Sequence, residues 1–571
     1  MTLDLVIKNG MVVDGTGFPR YQADIGIKDG LIVEKGRITD GAAQVIDADG
    51  LVVAPGIVDL HTHYDPQLHW ERLGTSSVWH GVTTVMMGNC GLTFAPVKPQ
   101  DRDYTLGIFS RVEELAIDTL RAGLPFDWET FGEYLDSLDK GLGLNVMPLV
   151  GHMAIRRYAM GEAADERAAT PDEIVRMQQV LRESLAAGGW GWSTSISPTH
   201  VGPTGEPVPS RRADDSELLA LAETLAEFNA GSIGIIPRNV IFGLEDSDKQ
   251  LIEQLAGISR RPVIWNGHSY RWNKPESAFD EQAWMDDAGR RGLNIWALIR
   301  ALPLDRWVCL QRTTFVMGLA VWRDLMELPI PERIAAFADP NRRQALRDAI
   351  DAPEVTTSTR GQLRPRIRWE ALSVSQVHKP ENEKYVGRSV TEIARTENKH
   401  IADVFLDIAI SENLETVFRY AQVLPDDIEA KSKLLKGAHI LPYTSDAAAH
   451  VNSDCLAGET SYLLGHWVRE KGVFSLEEAI RRVTLMPATI GGLTDRGMIR
   501  EGLAADIMVF DPETIQPKAK ELVRDMPAGD TRYIQKAEGV SKVIVNGRVV
   551  IDEGEPTGEL SGRVLRANQR A

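Results

Sequence analysis

Cysteine is scarce: Cys90, Cys309 and Cys455 are the three in 571 residues, too few and too scattered for a disulfide framework. Long apolar runs are missing too, and none approaches the roughly 20 residues of a membrane-spanning helix. Basic charge is in deficit, with 63 Lys and Arg against 81 Asp and Glu and a formal net charge of −18. That balance excludes the basic face that nucleic acid or an anionic membrane recruits. No internal repeat and no low-complexity segment occurs. A signal-peptide layout is also lacking, since the chain opens on the strand-like Leu5-Val6-Ile7. Together these absences predict a cytoplasmic globular protein. A hydrophobic share of 43% excludes disorder, and the length calls for a large domain plus a smaller one.

Both ends read as short strands. LVIKNGMVVDG and IGIKDGLIV carry Asn9-Gly10 and Asp29-Gly30, and SKVIVNGRVVID carries Asn546-Gly547, dipeptides that accept the positive φ of two-residue hairpin turns. Two strand-rich ends around a long middle predict one small sheet domain assembled from both termini. The middle alternates helix-like segments with short apolar runs, as buried parallel strands require. The runs are Leu51–Leu60, Thr83–Met87, Leu144–Val150, Gly189–Ile196, Ser232–Pro237 and Pro262–Asn266. Thr170-Pro171-Asp172-Glu173 and Ser475–Glu478 are capping boxes that open helices, the first with proline at its first helical position.

VAPGIVDLHTHYD carries the chemistry. Side chains alternate along a strand, so His61 and His63 point the same way, and at a strand's C-terminal end both imidazoles project into the mouth. Two neutral imidazoles at this spacing suit zinc or a similar divalent ion. Two ordinary turn histidines are the alternative, which the preceding apolar strand, Pro-Gly and Asp59 disfavour.

PGIVDLHTHYD, GNCGLTFAPV, VGHMAIR, GWSTS, TSDAAAH, GLTDRGMIREGLAADIMVFDP and the closing DMPAGDTRY extend over nearly the whole chain. Together they resemble the N-acyl-D-amino-acid deacylase (D-aminoacylase) branch of the amidohydrolase superfamily. The resemblance implies a (β/α)8 TIM-like barrel with a small β-sandwich domain, and adds Leu293–Ile299 and His439–Thr444 as the last two strands. The implied division places the small domain at 1–55 and 487–555 and the barrel at 56–486. A long insertion falls at about 300–438, rich in helices or forming a lid, and a tail at 556–571. Cys90 is implied as a thiolate metal ligand and His268 as a ligand after the sixth strand. Asp446 is implied as both metal ligand and the acid/base that moves the proton from water to the leaving nitrogen. One or two divalent ions, zinc first, would polarise the carbonyl and activate water.

Departures accompany the likeness. The family carries a histidine where Ile236 stands, and isoleucine binds no metal. The slight preference is therefore one metal around His61, His63 and Asp446. Ala457 stands where the family's carboxylate-binding arginine falls, and NIWALIRALPL lacks the family's tyrosine. Arg300, Arg156 or Arg271 is left to take a substrate anion. His152 and Arg156 follow the third strand and are read as substrate contacts, against the alternative of a helix-start histidine and a solvated arginine. The expected reaction is hydrolysis of the amide bond of an N-acyl amino acid or related small molecule. A cyclic amide, a lactone or other ester, and a catalytically silent scaffold stay open. Self-association is common among such barrels, but no segment marks an interface.

Overall fold

The computed structural model describes residues 2–313, 315–316, 319–352, 367–423 and 427–569, so parts of the insertion expected at about 300–438 and the end of the tail expected at 556–571 lie outside the described residues. Eight parallel strand positions follow one another through the middle of the chain. They are Ile57–Asp59, Val82–Met87, Asn145–Pro148 with its continuation Val150–Gly151, Gly191–Ser195, Ser232–Ile236, Val263–His268, Ile295–Ile299 and Ile440–Leu441. Each pairs in parallel with its predecessor. The row returns on itself: Thr62 bridges Ala447, and the Asp446 amide donates to the His61 carbonyl at 3.1 Å.

Helices follow several of these strands and bury one apolar stripe each. In Pro171–Ala186 the stripe is Met177, Leu181 and Leu185, spaced by four; in Asp215–Ala226 it is Leu218, Leu221 and Leu225. Each such side chain contributes about 1.5–3 kcal/mol on burial. The capping box at Thr170 is formed in both directions, as its residues dictate. At Ser475 only the forward half forms: the hydroxyl accepts from the Glu478 amide, while the Glu478 carboxylate is taken by Arg481 and Arg482.

The apolar run Leu51–Leu60 proves to be two strands. Val52–Pro55 pairs with Met11–Val12 and Ile507–Phe510, and only Ile57–Asp59 joins the parallel row. The break falls at Gly56, where a Cβ would lie 2.1 Å from Thr83 Oγ1, so no other residue permits the approach.

The two ends of the chain interleave in one seven-stranded sheet, and a four-stranded sheet of N-terminal residues packs beside it. Leu5, Ile7, Ile27, Val53, Ile507 and Ile544 share their core. Asp29-Gly30 and Asn546-Gly547 turn antiparallel hairpins, with φ of 50° and 79° and of 45° and 80°. Asn9-Gly10 does not. It passes the chain from Leu3–Lys8 in one sheet to Met11–Val12 in the other, because each strand finds a parallel partner elsewhere.

Between the last two parallel strands, Arg306–Cys309 and Leu372–Gln376 flank Val417–Tyr420 in an antiparallel sheet. Helices Ala320–Met326, Ile330–Ala338, Pro340–Asp351, Val390–Glu397 and Ile401–Ser411 cover it around a separate core of Trp322, Phe337, Phe405 and Phe418. No helix among the described residues is long and apolar enough to cross a membrane.

Candidate metal centre

Three strand exits converge on one point. His61 and His63 leave the first strand on the segment that bridges to Ala447, and their rings stand edge to face with centroids 5.4 Å apart. Cys90 follows the second strand on a sharp turn in which Gly88, Cys90 and Gly91 have φ of 80°, 58° and 80°. A non-glycine residue in left-handed backbone costs about 1–3 kcal/mol, so the turn must be held from outside. Gly88 donates its amide to Asp65 at 3.0 Å and Gly91 donates to Ser193 Oγ at 2.8 Å. Asp65 belongs to the same DLHTHYD stretch, so one sequence motif supplies two imidazoles and fixes the turn that supplies the thiol. Asp446 follows the eighth strand and is also left-handed, with φ of 52°.

The donor atoms meet. Cys90 Sγ lies 3.5 Å from Nε2 of His61 and 3.5 Å from Nε2 of His63. With zinc bonds of roughly 2.0–2.1 Å to nitrogen and 2.3 Å to sulfur, the edge of a tetrahedron is about 3.5 Å, so these three atoms fit one ion. Among the described residues, His61, His63 and Cys90 are the group whose ligand atoms all lie within 4.8 Å of one another. Asp446 Oδ1 touches the same two nitrogens, at 3.4 Å and 3.2 Å. Its side chain is 17% exposed, so this is the side from which solvent reaches the cluster.

Charge is finely opposed here. Burial pushes the Cys90 thiol up to about 12, and burial likewise lowers His61. Burial would raise Asp446 too, but contacts from His61 and His63 outweigh it and hold the carboxyl well below its ordinary range. Asp59, two residues before His61, accepts from the His61 amide at 3.1 Å, and burial lifts its carboxyl to about 6.

Around the donors, the three candidate arginines part ways. Arg300, just after the seventh strand, donates to Asp446 Oδ2 at 3.4 Å and pairs with buried Glu459 at 3.2 Å. Glu459 also accepts from the Ala301 and Leu302 amides at 2.8 Å and 2.9 Å, which fixes the arginine from behind. Arg271 is spent on Glu281 and on the Val240 and Ile241 carbonyls. Arg156 is fully buried, paired with Glu217, and Glu217 also takes His152 Nε2 at 2.6 Å while Thr194 meets its Nδ1 at 2.9 Å. His152 and Arg156 thus share one buried carboxylate and are not in hydrogen-bond contact with the donor group.

His268 stands apart from the three-donor group. Glu281 takes its Nδ1 at 2.9 Å, and its buried Nε2 has no hydrogen-bond partner. Asn266, on the same strand, reaches His61 Nε2 at 3.4 Å. Cys309 and Cys455 are free thiols away from the group. Trp192 and Trp265 are wholly buried in the core, whereas Trp272 is 67% exposed. Sequence reasoning missed Glu113, Glu459 and Asn266. Glu459 opens a short helix and Glu113 closes one, and neither carries a motif that marks it.

The family model described as "Amidohydrolase family" matches residues 44–355 and 407–551. D-aminoacylase of Alcaligenes xylosoxydans xylosoxydans is 28% identical over 98% of this chain and 97% of its own length. N-acyl-D-glutamate deacylase of the same organism is 26% identical over 99% and 96%. Among solved structures, N-acyl-D-glutamate deacylase of Bordetella bronchiseptica, complexed with zinc and a phosphonate mimic of the tetrahedral intermediate, superposes with a TM-score of 0.66 at 23% identity. It covers 99% of this chain and 100% of its own. A D-aminoacylase with a binuclear metal centre, described by one-metal activation and second-metal attenuation, gives 0.66 at 24% identity, with the same coverage.

Proposed function

The chain belongs to the amidohydrolase family, and from that premise we propose that it hydrolyses the amide C–N bond of an N-acyl amino acid or a related small amide with the help of a divalent metal. The observation that carries this reading is the convergence of His61, His63 and Cys90 on one point with Asp446 against it. Three protein ligands and an open position are the habit of catalytic zinc, and one ion is what these three would hold. When bound, such an ion supplies Lewis-acid polarisation of the scissile carbonyl and water activated near neutral pH.

The chain's own residues do the rest. Asp446, ionised and at the solvent-reached side, takes the proton from the attacking water and returns it to the leaving nitrogen. Arg300 holds the outer oxygen of Asp446, which keeps the inner oxygen facing the imidazoles. Arg271 and Arg156 are committed away from the donors; Arg300 is paired as well, with Asp446 and Glu459, but it alone of the three touches the site and is the one we set against a substrate anion. Asn266 forms the wall beside His61, and His268 lies two residues further along the same strand. His152 and Arg156, held together by Glu217, are given an indirect part, since neither touches the donor group. Relatives named for N-acyl-D-glutamate and N-acyl-D-aspartate make N-acylated amino acids the substrate class to try first.

We read the returned row of parallel strands as a (β/α)8 barrel at 56–486. The interleaved end strands are a small β-sandwich domain at 1–55 and 487–555, residues 300–438 are an insertion with its own core, and 556–571 are a tail. Free cysteines suit a reducing compartment, the cytoplasm. The test is a screen of N-acyl-D- and N-acyl-L-amino acids with zinc-loaded and metal-stripped protein, read by the amine released. Metal-dependent release from at least one compound is expected; metal-loaded protein that cleaves no amide in either series would overturn the reading.

A further inference from the structure

We infer that Glu113 is a positioning residue for the metal centre, fixing His63 from behind, and that the Glu113-Glu114 pair ties this imidazole to the segment bearing Asp446. The inference rests on the metal-hydrolase reading above, but its test does not require turnover.

His63 presents Nε2 to Cys90 and Asp446. An imidazole that binds an ion through Nε2 is neutral and carries its proton on Nδ1, so that N–H needs an acceptor. His63 is 1% exposed, and its Nδ1 has no hydrogen-bond partner. The acidic oxygen facing it is Glu113 Oε1, at 3.5 Å, on a side chain 3% exposed. A buried carboxylate costs several kcal/mol unless a donor or cation compensates it. Among the described residues, His63 is the ion-pair partner Glu113 has. Each group therefore meets the other's need, and a contraction of a few tenths of an ångström turns the contact into a hydrogen bond.

Local structure argues that these acids are not there for the helix. Glu113 closes helix Arg102–Glu113, the end at which a carboxylate opposes the macrodipole, and Glu114 follows with φ of 60°. Both are used elsewhere. The His450 amide donates to the Glu113 carbonyl at 2.9 Å, and Asn452 Nδ2 donates to the Glu114 carbonyl at 2.8 Å. The Glu114 carboxylate lies 3.3 Å from His450 Nδ1, an approach that is not a hydrogen bond, and accepts from Ser453 Oγ at 3.1 Å. The segment it grips begins at Asp446 and runs through left-handed Ala448 and His450, a conformation that does not hold itself. One helix end thus presses on His63 with its first acid and on the Asp446 segment with its second.

The experiment compares wild type, Glu113→Gln, Glu113→Ala and Glu114→Gln. Zinc affinity is read by competition with a chromophoric chelator, and the cobalt-substituted proteins by their visible and thiolate charge-transfer absorption. Acceptor partners of ligating histidines typically change metal affinity 10–100-fold when removed. Glu113→Gln keeps an acceptor oxygen without charge, so about a tenfold loss is expected; Glu113→Ala should lose closer to 100-fold. The cobalt spectrum should shift in both, while metal-stripped Glu113→Gln melts close to metal-stripped wild type. Glu114→Gln should leave zinc affinity within about threefold, since it does not touch His63. Zinc affinity and cobalt spectrum unchanged in Glu113→Gln and Glu113→Ala would overturn the inference. If Glu113→Ala does not fold, Glu113→Gln alone decides by the same two readings. Absence of zinc binding in wild type would instead count against the hydrolase reading itself.

Discussion

Two buried knots of charge sit at opposite ends of the same parallel strands, and they are built on opposite rules. At the strand entrances, Asp506 accepts three hydrogen bonds: Oδ1 from the Asn546 amide at 2.7 Å, and Oδ2 from Asn145 Nδ2 at 3.0 Å and from Arg496. At the strand exits, His63 Nδ1, Ser195 Oγ, Asn266 Oδ1 and His268 Nε2 are buried without hydrogen-bond partners. Native interiors seldom leave polar atoms so, and strain, ordered water, an ion or a ligand accounts for the exceptions. The entrance knot has its carboxylate met by the protein, although Asn546 Oδ1 within it is buried without a hydrogen-bond partner, and it holds the terminal strands to the row. The exit group keeps donors and acceptors that a bound ion or substrate would meet.

Breaking each knot should therefore have a different symptom. Asp446→Asn should lower kcat/KM on the order of 10³-fold, the scale of general acid–base catalysis, with little change in melting. A steady-state assay beside a thermal melt checks it; wild-type activity would refute Asp446 as the base. Arg496→Met, which strands buried Asp506, should cost about 3–5 kcal/mol of stability, seen in urea unfolding. Zinc affinity of the folded fraction should not change, and a lost metal site in a fully stable variant would undo the comparison. The smallest effect should fall on the capping box at Thr170, far from both knots. There Arg167 and the Thr170 amide hold Glu173 down at about 2. A depressed carboxyl contributes stability above its unfolded pKa near 4.5, lost as pH falls toward 2. Arg167 is 47% exposed, so screening limits the contribution to about 1 kcal/mol or less, and Glu173→Gln should flatten that part of the acid-unfolding curve.

Much of this was legible because local rules and global fold agree. The HTH alternation placed both Nε2 atoms on one side, the apolar runs became the parallel strands, and Thr170 capped its helix as its residues dictate. What stayed hidden is what only three dimensions assemble. Pro55-Gly56 divides a run that reads as one strand, because Thr83 crowds it from a neighbour. Asn9-Gly10 carries ideal hairpin chemistry, yet parallel partners further along the chain, Ala42–Asp47 and Val52–Val53, claim both flanking strands. Glu113 looks like any solvated helix acid in SRVEELA, and its burial against His63 depends on a helix packing fifty residues downstream. Choosing among Arg156, Arg271 and Arg300 required knowing which guanidinium group lies against Asp446.

Metal content tests the central claim most directly. Protein loaded with zinc, dialysed and counted by plasma emission should retain about one ion per chain, and Cys90→Ala should retain far less, since three ligands are needed to hold it. Less than about 0.2 ion per chain in the wild type, or retention unchanged in Cys90→Ala, would contradict the account.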